Sequence, residues 1–151
     1  MTKRIVRATK TRTTVQIQIN TNKFWSKANR ELKNRLTLIG RMLKSYFYRK
    51  LTGPRTGHIY YVPALGRTYQ ASAPGEYPAE KFGHLRRGIR FQTGISIRGP
   101  YLVLGVANEA VLYATELEDP GSRAPRPFLR RGMIENQSTI QRMLKKPFVA
   151  F

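Results

Sequence analysis

The sequence contains no cysteine, only two histidines and only eight acidic residues among 151. The missing cysteines exclude a disulfide, a zinc–thiolate site and a thiol nucleophile. The acids are too few for the carboxylate pairs or the Ser-His-Asp sets of hydrolases. Neither His58 nor His84 has a partner at the spacing typical of a metal site. These absences predict a protein that is not an enzyme and needs no metal or cofactor.

Long apolar runs are also missing. No stretch approaches the roughly 20 residues of a membrane-spanning helix, and the basic N-terminal segment lacks the apolar core of a signal peptide. The chain is still 40% hydrophobic and 11% aromatic, which is enough to fold. We therefore expect a soluble protein without membrane contact, with one domain over 13–151. Residues 1–12 are polar, basic and aperiodic, and we expect a flexible basic arm there.

Positive charge is what the sequence has in excess. Lys and Arg number 28 against eight acids, which gives a formal net charge of +20. The excess is uneven, because residues 1–75 hold 16 Lys and Arg and a single acid, Glu31. Such a surface repels its own copies unless phosphate or a partner's carboxylates neutralise it. The composition thus favours a polyanionic or acidic partner, although a merely basic surface without a specific partner stays open.

In the first half of the chain, the spacing of the apolar residues changes once. Alternation of Val15, Ile17 and Ile19 predicts a strand near 13–20. From Asn22 apolar residues recur at threes and fours, which predicts an amphipathic helix over about 23–50, capped by Thr21 or Asn22 and ended by Thr52-Gly53-Pro54. The apolar face of this helix comprises Ala28, Leu32, Leu36, Ile39, Leu43 and Phe47.

Residues 52–80 hold four prolines and four glycines with tyrosines between them. They show no helical period, and a connection of this length is uncommon in a compact domain unless it serves a function. We expect an extended interaction loop that becomes ordered against a neighbouring surface.

The second half predicts short elements. We expect a turn of helix at 81–87, strands at 89–97 and 101–107 joined by a hairpin at Arg98-Gly99-Pro100, and a strand or one-turn helix at 110–118. A helix over about 127–145 closes the chain. The predicted fold class is α+β: a small, mostly antiparallel sheet packed with one long amphipathic helix and a C-terminal helix.

Two charged groups are candidates for partner contact. The acids Glu116, Glu118 and Asp119 end an element, and we interpret them as a patch that meets a neighbour's basic face rather than as a catalytic group. Basic residues of the arm and helix are candidates for contact with DNA or an acidic partner. Any DNA contact would be with the backbone, because no base-reading module is present. These basic candidates are Arg4, Arg7, Lys27, Arg30, Arg41 and Lys44.

Four stretches carry a resemblance to a known family: "LTGPRTGHIYYV", "RTYQASAPGEYPA", "FGHLRRGIRF" and "YATELEDPGSRAPRPFLRRGM". In this order, over about 50–145, the sequence resembles the neck or tail-completion (head-tail joining) proteins of tailed bacteriophages. Two places depart from the family pattern: Phe82-Gly83-His84, where the family commonly has Thr-Gly, and the loop at 118–122.

The resemblance implies a structural virion subunit that forms a ring of six or twelve copies at the neck, after assembly in the host cytoplasm. Its partners would be the portal adaptor or head-completion protein above and the tail terminator or tail tube protein below, with genomic double-stranded DNA in the channel. Two alternatives remain: a tail terminator ring that caps the tail tube, and, from another class, a non-specific nucleic-acid-binding protein.

The resemblance also implies which residues meet a neighbouring subunit. Small residues of the central loop would lie against that subunit, Arg86 and Arg87 would meet carboxylates or phosphate, and Pro127 would take the first position of the last helix, with Phe128 in the core. With the acidic patch, the predicted interface comprises Tyr69, Gln70, Ala71, Ser72, Ala73, Pro74, Gly75, Glu76, Pro78, Arg86, Arg87, Glu116, Glu118, Asp119, Arg126, Pro127 and Phe128.

Overall fold

The computed structural model describes residues 5–8, 15–18, 21–107 and 110–147. It confirms the α+β class, with a long helix packed against a small antiparallel sheet. The elements follow in the order β1 (Ile5–Ala8), β2 (Val15–Gln18), α1 (Thr21–Thr52), β3 (Ile59–Val62), a 3-10 turn (Pro63–Leu65), β4 (Arg67–Gln70), α2 (His84–Gly88), β5 (Ile89–Ser96), β6 (Gly99–Val106), α3 (Val111–Glu118), α4 (Leu129–Glu135) and α5 (Gln137–Lys145).

The described strands form three separate two-stranded antiparallel sheets, β1-β2, β3-β4 and β5-β6. The strand predicted at 13–20 is confirmed as β2. The prediction of an unstructured arm over 1–12 is wrong for Ile5–Ala8, which form β1 and pair with β2. Arg7 lies in this strand, opposite Gln16, whereas Arg4 lies outside the described residues.

Helix α1 begins two residues before the predicted start and ends at Thr52, as Gly53-Pro54 predicted. Both predicted cap residues, Thr21 and Asn22, lie inside the helix, so neither is its cap. The end has a further cause in Arg55, whose guanidinium donates to the carbonyls of Lys50 at 2.7 Å and Leu51 at 3.2 Å. These carbonyls lack partners inside the helix, so the cation satisfies them and interacts favourably with the helix dipole.

The central segment is more regular than the extended loop predicted over 52–80. Strands β3 and β4 form a hairpin around the 3-10 turn, in which Tyr60 is paired with Tyr69 and Val62 with Arg67. The period was hidden because Ile59 and the tyrosines that follow it are all exposed, although they alternate between the two faces. Residues 71–80 then run without regular structure to α2.

The hairpin predicted at 89–107 is confirmed as β5-β6, but its turn is one step earlier than expected. Ser96 pairs with Gly99 and Ile95 with Pro100, so Ile97 and Arg98 form the loop. Gly99 has φ 107, a conformation that disfavours any side chain. Along β6, Leu102 and Leu104 pack against the core, and Tyr101 and Val103 face away from it.

The predictions for the two C-terminal segments have different outcomes. The stretch left open as strand or helix at 110–118 is helix α3. The single helix predicted over 127–145 is two helices, α4 and α5, separated at Asn136. The buried Asn136 amide donates to the Gly132 carbonyl at 2.8 Å, which satisfies a carbonyl at the break.

The hydrophobic core lies where α1 meets the later elements. Phe47 and Phe128 are fully buried, and their rings meet edge to face with centroids 6.2 Å apart. Arg35, only 7% exposed, joins α1 to the end of α5 by donating to the carbonyls of Leu144 at 3.1 Å and Pro147 at 3.0 Å. The other buried apolar residues of the cluster are Ile39, Leu43, Leu51, Tyr77, Leu85, Ile89, Ala110, Ala114 and Leu117.

Candidate functional site

The loop predicted to reach a neighbouring subunit, residues 69–78, binds its own chain. The Gly57 N–H donates to the Ala71 carbonyl at 3.0 Å, and the Ala71 N–H donates to the His58 carbonyl at 2.9 Å. The Gln70 side chain donates to the Gly57 carbonyl at 3.1 Å. A Cβ atom at Gly57 would lie 2.5 Å from the Ala71 oxygen, so this close approach requires glycine.

Glu76 fixes the turn of this loop. Its carboxylate accepts from the Ala73 N–H at 2.8 Å and from the Thr56 hydroxyl at 2.8 Å. The Ala73 N–H, followed by the Thr56 hydroxyl, lowers the pKa of Glu76 below its ordinary value. The carboxylate therefore stabilises the turn of its own chain.

Two arginines from the C-terminal part hold the same loop. Arg126 donates to the Ser72 carbonyl at 3.0 Å, and Arg131 donates to the Gly75 carbonyl at 2.5 Å. Ala71, Ser72 and Ala73 are half-buried, whereas Gln70 and, at the tip, Pro74 and Gly75 are exposed. These three exposed residues are the part of the loop still accessible to a partner.

Glu118 caps α4. Its carboxylate accepts from the backbone N–H groups of Phe128 at 2.8 Å and Leu129 at 2.5 Å, a stabilising position for an acid because the helix N-terminus is positive. The prediction of Pro127 at the first helical position is wrong, since the helix begins at Leu129. Phe128 is fully buried, as predicted for a core residue, and Pro78 is fully buried as well, so neither side chain is accessible at the surface of the chain.

Glu135 forms a polar cluster that the sequence did not reveal. Tyr46 and Tyr77 both donate to its carboxylate, Tyr77 at 3.0 Å. Arg131 donates to it at 2.7 Å, and Lys50 lies 3.9 Å away. The Tyr46 hydrogen bond, followed by those from Arg131 and Tyr77, outweighs partial burial and lowers the pKa of Glu135 to about 2. Burial raises the pKa of Tyr77, so the cluster consists of a carboxylate and neutral phenols.

Most acidic side chains of the described residues form hydrogen bonds or ion pairs within the chain. Of the seven acids within the described residues, Glu116 is the one without a hydrogen bond or ion pair. The other six bind as follows: Glu31 to Arg35, Glu76 to Ala73 and Thr56, Glu80 to Arg86, Glu118 to Phe128 and Leu129, Asp119 to Gly121, and Glu135 to the cluster.

The residues of the predicted acidic patch also make contacts within the chain. Glu118 is a helix cap, and Asp119 accepts from the Gly121 N–H at 2.9 Å. These donors are neutral, so both carboxylates keep their charge. Glu116 and Asp119 are exposed, which leaves their negative charge accessible to a partner.

The basic helix residues lie together as predicted from their spacing. Lys27, Arg30, Arg41 and Lys44 are exposed, and at 3.6 residues per turn they share an arc of about 100° opposite the core residues. We call these four residues the basic stripe. Tyr48 continues its line, and the Arg86 guanidinium lies 4.9 Å above the Tyr48 ring.

Arg86 and Arg87 border a groove that the sequence did not predict. The groove has a volume of about 700 Å³ and lies between the end of α1, strand β4 and helix α2. Arg55, Arg67 and Lys81 also line it, and we call it the cationic groove. These residues are distant in sequence, and a reading of 52–80 as an extended loop gave no reason to join them.

The two histidines contact aromatic rings. His58 lies 4.6 Å from Tyr60 and His84 lies 5.8 Å from Phe82, measured between ring centroids. Across residues 21–107, 110–147 and the two N-terminal strands, no three His, Asp or Glu side chains come together as a metal site. Within the same residues, no helix is both long and apolar enough to span a bilayer.

Comparison with known proteins gives no relative. No protein-family model matches the chain, and neither the curated proteins nor the solved structures include a match.

Proposed function

We propose that this chain is a structural subunit of the neck of a tailed bacteriophage, a ring-forming tail-completion protein that joins the DNA-filled head to the tail. The resemblance of four sequence stretches to that family is the origin of the proposal. The architecture supports a non-catalytic role, because its well-formed polar contacts stabilise the chain and leave a large positive charge on the surface.

One observation carries the proposal: the stretches that bear the resemblance meet in space. Residues 53–58, 69–78 and 118–131 are joined by hydrogen bonds from Gly57 to Ala71, from Arg126 to Ser72 and from Arg131 to Gly75. We call these three ranges the joined segments. Residues scattered over the sequence thus form one structural unit, as expected if they specify a shared fold rather than a chance similarity.

The exposed tip of the joined segments supplies a place for subunit contact. Pro74 and Gly75 project into solvent from a loop that several hydrogen bonds hold in place. A pre-ordered loop loses less conformational entropy on binding than a flexible one. A ring uses two different surfaces of each subunit, and Glu116, the free carboxylate, is available for the second.

The oligomeric mass tests the proposal. Native mass spectrometry of the purified protein, alone and with isolated heads or tails, should give a ring of six or twelve copies. A ring that forms only on tail tubes would instead identify a tail terminator. A protein that stays monomeric and does not restore the joining of heads to tails in a complementation assay would refute both.

A second candidate, a non-specific nucleic-acid-binding protein, is favoured by the distribution of acids. The net charge of +20 already counts every acid, and three of the seven described acids, Glu31, Glu80 and Glu135, form ion pairs with arginines of the same chain. The excess of Lys and Arg over acids therefore remains for an external polyanion. This candidate predicts a monomer that binds duplex DNA with a steep salt dependence and forms no defined ring.

A further inference from the structure

The cationic groove concentrates positive charge at one place. Five cations and one carboxylate, Glu80, line it. Glu80 is taken by Arg86, whose Nε lies 3.5 Å from the carboxylate. The other four cations of the groove form no ion pair with an acid of the described residues, although Glu76 and Glu80 interact with Arg55 over a longer distance.

Arg55 lines the groove, and its hydrogen bonds hold its guanidinium in place. Arg55 gives both terminal nitrogens to carbonyl oxygens, including that of Pro78 at 3.0 Å. Neutral carbonyls satisfy its hydrogen bonds but leave its charge in place. Its Nε is buried and has no hydrogen-bond partner among the described residues. Burial lowers the pKa of Arg55 although Glu76, Tyr69 and Glu80 act to raise it, so a further anion in the groove would stabilise the charge.

Three exposed cations at the edge of the groove are accessible to a ligand. Arg67, Lys81 and Arg87 are exposed, and they make no ion pair with an acid of the described chain. Lys81 lies 5.4 Å from the Phe82 ring, a contact that leaves its charge unneutralised. Guanidinium groups bind phosphate oxygens with two parallel hydrogen bonds, and a lysine adds a point charge.

We propose that the cationic groove binds phosphate groups of a nucleic-acid backbone, with Arg67, Lys81 and Arg87 as the contacting side chains above Arg55. A second copy of this chain is a poor occupant because it carries eight acids against 28 Lys and Arg, and Glu31, Glu80 and Glu135 already form ion pairs with its own arginines. The Arg86–Tyr48 contact connects the groove to the end of the basic stripe, so that a long polyanion can contact both surfaces. The inference deepens the proposed function and rests on it only for the source of the phosphate, a genome that passes the neck.

The test compares two charge-matched triple variants. Arg67→Gln, Lys81→Gln and Arg87→Gln remove three charges from the groove. Arg98→Gln, Arg123→Gln and Arg130→Gln remove three charges from other exposed positions. Equal thermal unfolding of both variants and the wild type establishes that they fold. Fluorescence anisotropy then measures binding to a random-sequence 20-base-pair duplex and to a single strand of the same length over a series of salt concentrations.

We expect the groove variant to lose affinity about 10-fold or more at 0.1 M salt and to reduce the slope of log K against log salt by about 2 to 3 on the duplex. The control variant should keep a slope close to that of the wild type. A loss confined to the single strand would identify that strand as the source of the phosphate and still support the groove. Equal losses in both variants, or no loss in either, would overturn the inference.

An acidic protein surface is the competing occupant. Polyglutamate of similar length serves as the probe in the same assay. If the groove variant loses binding to polyglutamate and keeps its binding to both nucleic acids, the groove is a protein-binding site and the inference is wrong. Ring formation and head-tail joining are measured separately, so intact rings with unchanged DNA binding would refute the groove alone.

Discussion

Tyr77 and Glu135 are 58 residues apart in sequence, yet the Tyr77 hydroxyl donates to the Glu135 carboxylate at 3.0 Å. Tyr46 donates to the same oxygen from α1, and its hydroxyl lies 3.0 Å from that of Tyr77. One carboxylate thereby connects the long helix, the segment before α2 and the end of α4. The Arg131 guanidinium covers the Tyr77 ring at 4.5 Å and adds a charge next to the carboxylate.

Glu135 should make stability depend on acid pH. Its pKa is about 2 in the folded chain against an ordinary value of 4.5. Because the folded value is the lower one, the stabilisation is fully present above pH 4.5 and is lost as the pH falls towards 2. Glu135→Gln should cost about 1–2 kcal/mol at pH 7, a modest value because the carboxylate is partly exposed.

Urea unfolding at pH 7, 4.5, 3 and 2.5 checks this prediction. The difference between the wild type and Glu135→Gln should shrink across the lower pH values. Glu116→Gln is the matched control, since Glu116 forms no hydrogen bond or ion pair with another described residue. A constant difference at every pH would contradict the assigned role of the Glu135 charge.

Gly132 should not tolerate even a methyl group. A Cβ atom there would lie 2.2 Å from a ring carbon of Phe47, which is fully buried. Because the ring has no free space around it, Gly132→Ala should destabilise the chain by about 1–3 kcal/mol. Gly105→Ala is the control, since its Cβ meets nothing within 4 Å. Thermal unfolding that ranks the two variants in the opposite order would refute this packing.

Arg55 should contribute to stability by ending α1. Arg55→Ala removes the donors to the carbonyls of Lys50 and Leu51, and we expect a loss of about 2 kcal/mol. Arg67→Ala deletes a groove cation that makes no such contact, so it should change stability by less than about 0.5 kcal/mol. Chemical denaturation measures both values. Similar losses in the two variants would show that Arg55 does not act as a cap.

Glu118 should act as a helix cap whether or not it meets a partner. Glu118→Ala leaves the N–H groups of Phe128 and Leu129 without their acceptor and should cost about 1–2 kcal/mol. Glu116→Ala, two residues away and exposed, should be close to neutral. Hydrogen exchange at the first amides of α4 gives a local readout. Unchanged protection there in Glu118→Ala would exclude the capping role.

The parts of the fold that could be predicted are those with an uninterrupted apolar period. Leu36, Ile39, Leu43 and Phe47 identify α1 because the same face stays buried over several turns. The break at Asn136 was missed because Met133 and Ile140 continue a helical spacing across it. It depends on a buried side-chain hydrogen bond to Gly132, which the apolar pattern does not encode.

The candidate sites could be predicted only where their residues are close together in the sequence. The basic stripe belongs to one helix, so its spacing alone places the four cations together. The cationic groove instead needs Arg55, Arg67, Lys81 and Arg87 to be brought close by the β3-β4 hairpin and α2, and no pattern of apolar residues indicates that hairpin. The hydrogen bonds of the acidic side chains likewise depend on contacts between residues far apart in sequence, as between Glu135 and Tyr46.

Helix α1 is long enough for a small tilt to displace its end by several ångströms. Its 32 residues extend over about 48 Å at 1.5 Å per residue. Among its residues from 25 onwards, buried positions occur only at Arg35 and beyond. Residues 25–34 are exposed or half-buried, so this end of the helix is less tightly packed than the end that carries the core residues. Over a length of about 48 Å, a tilt of the helix by about 5° about one end would move the other end by about 4 Å.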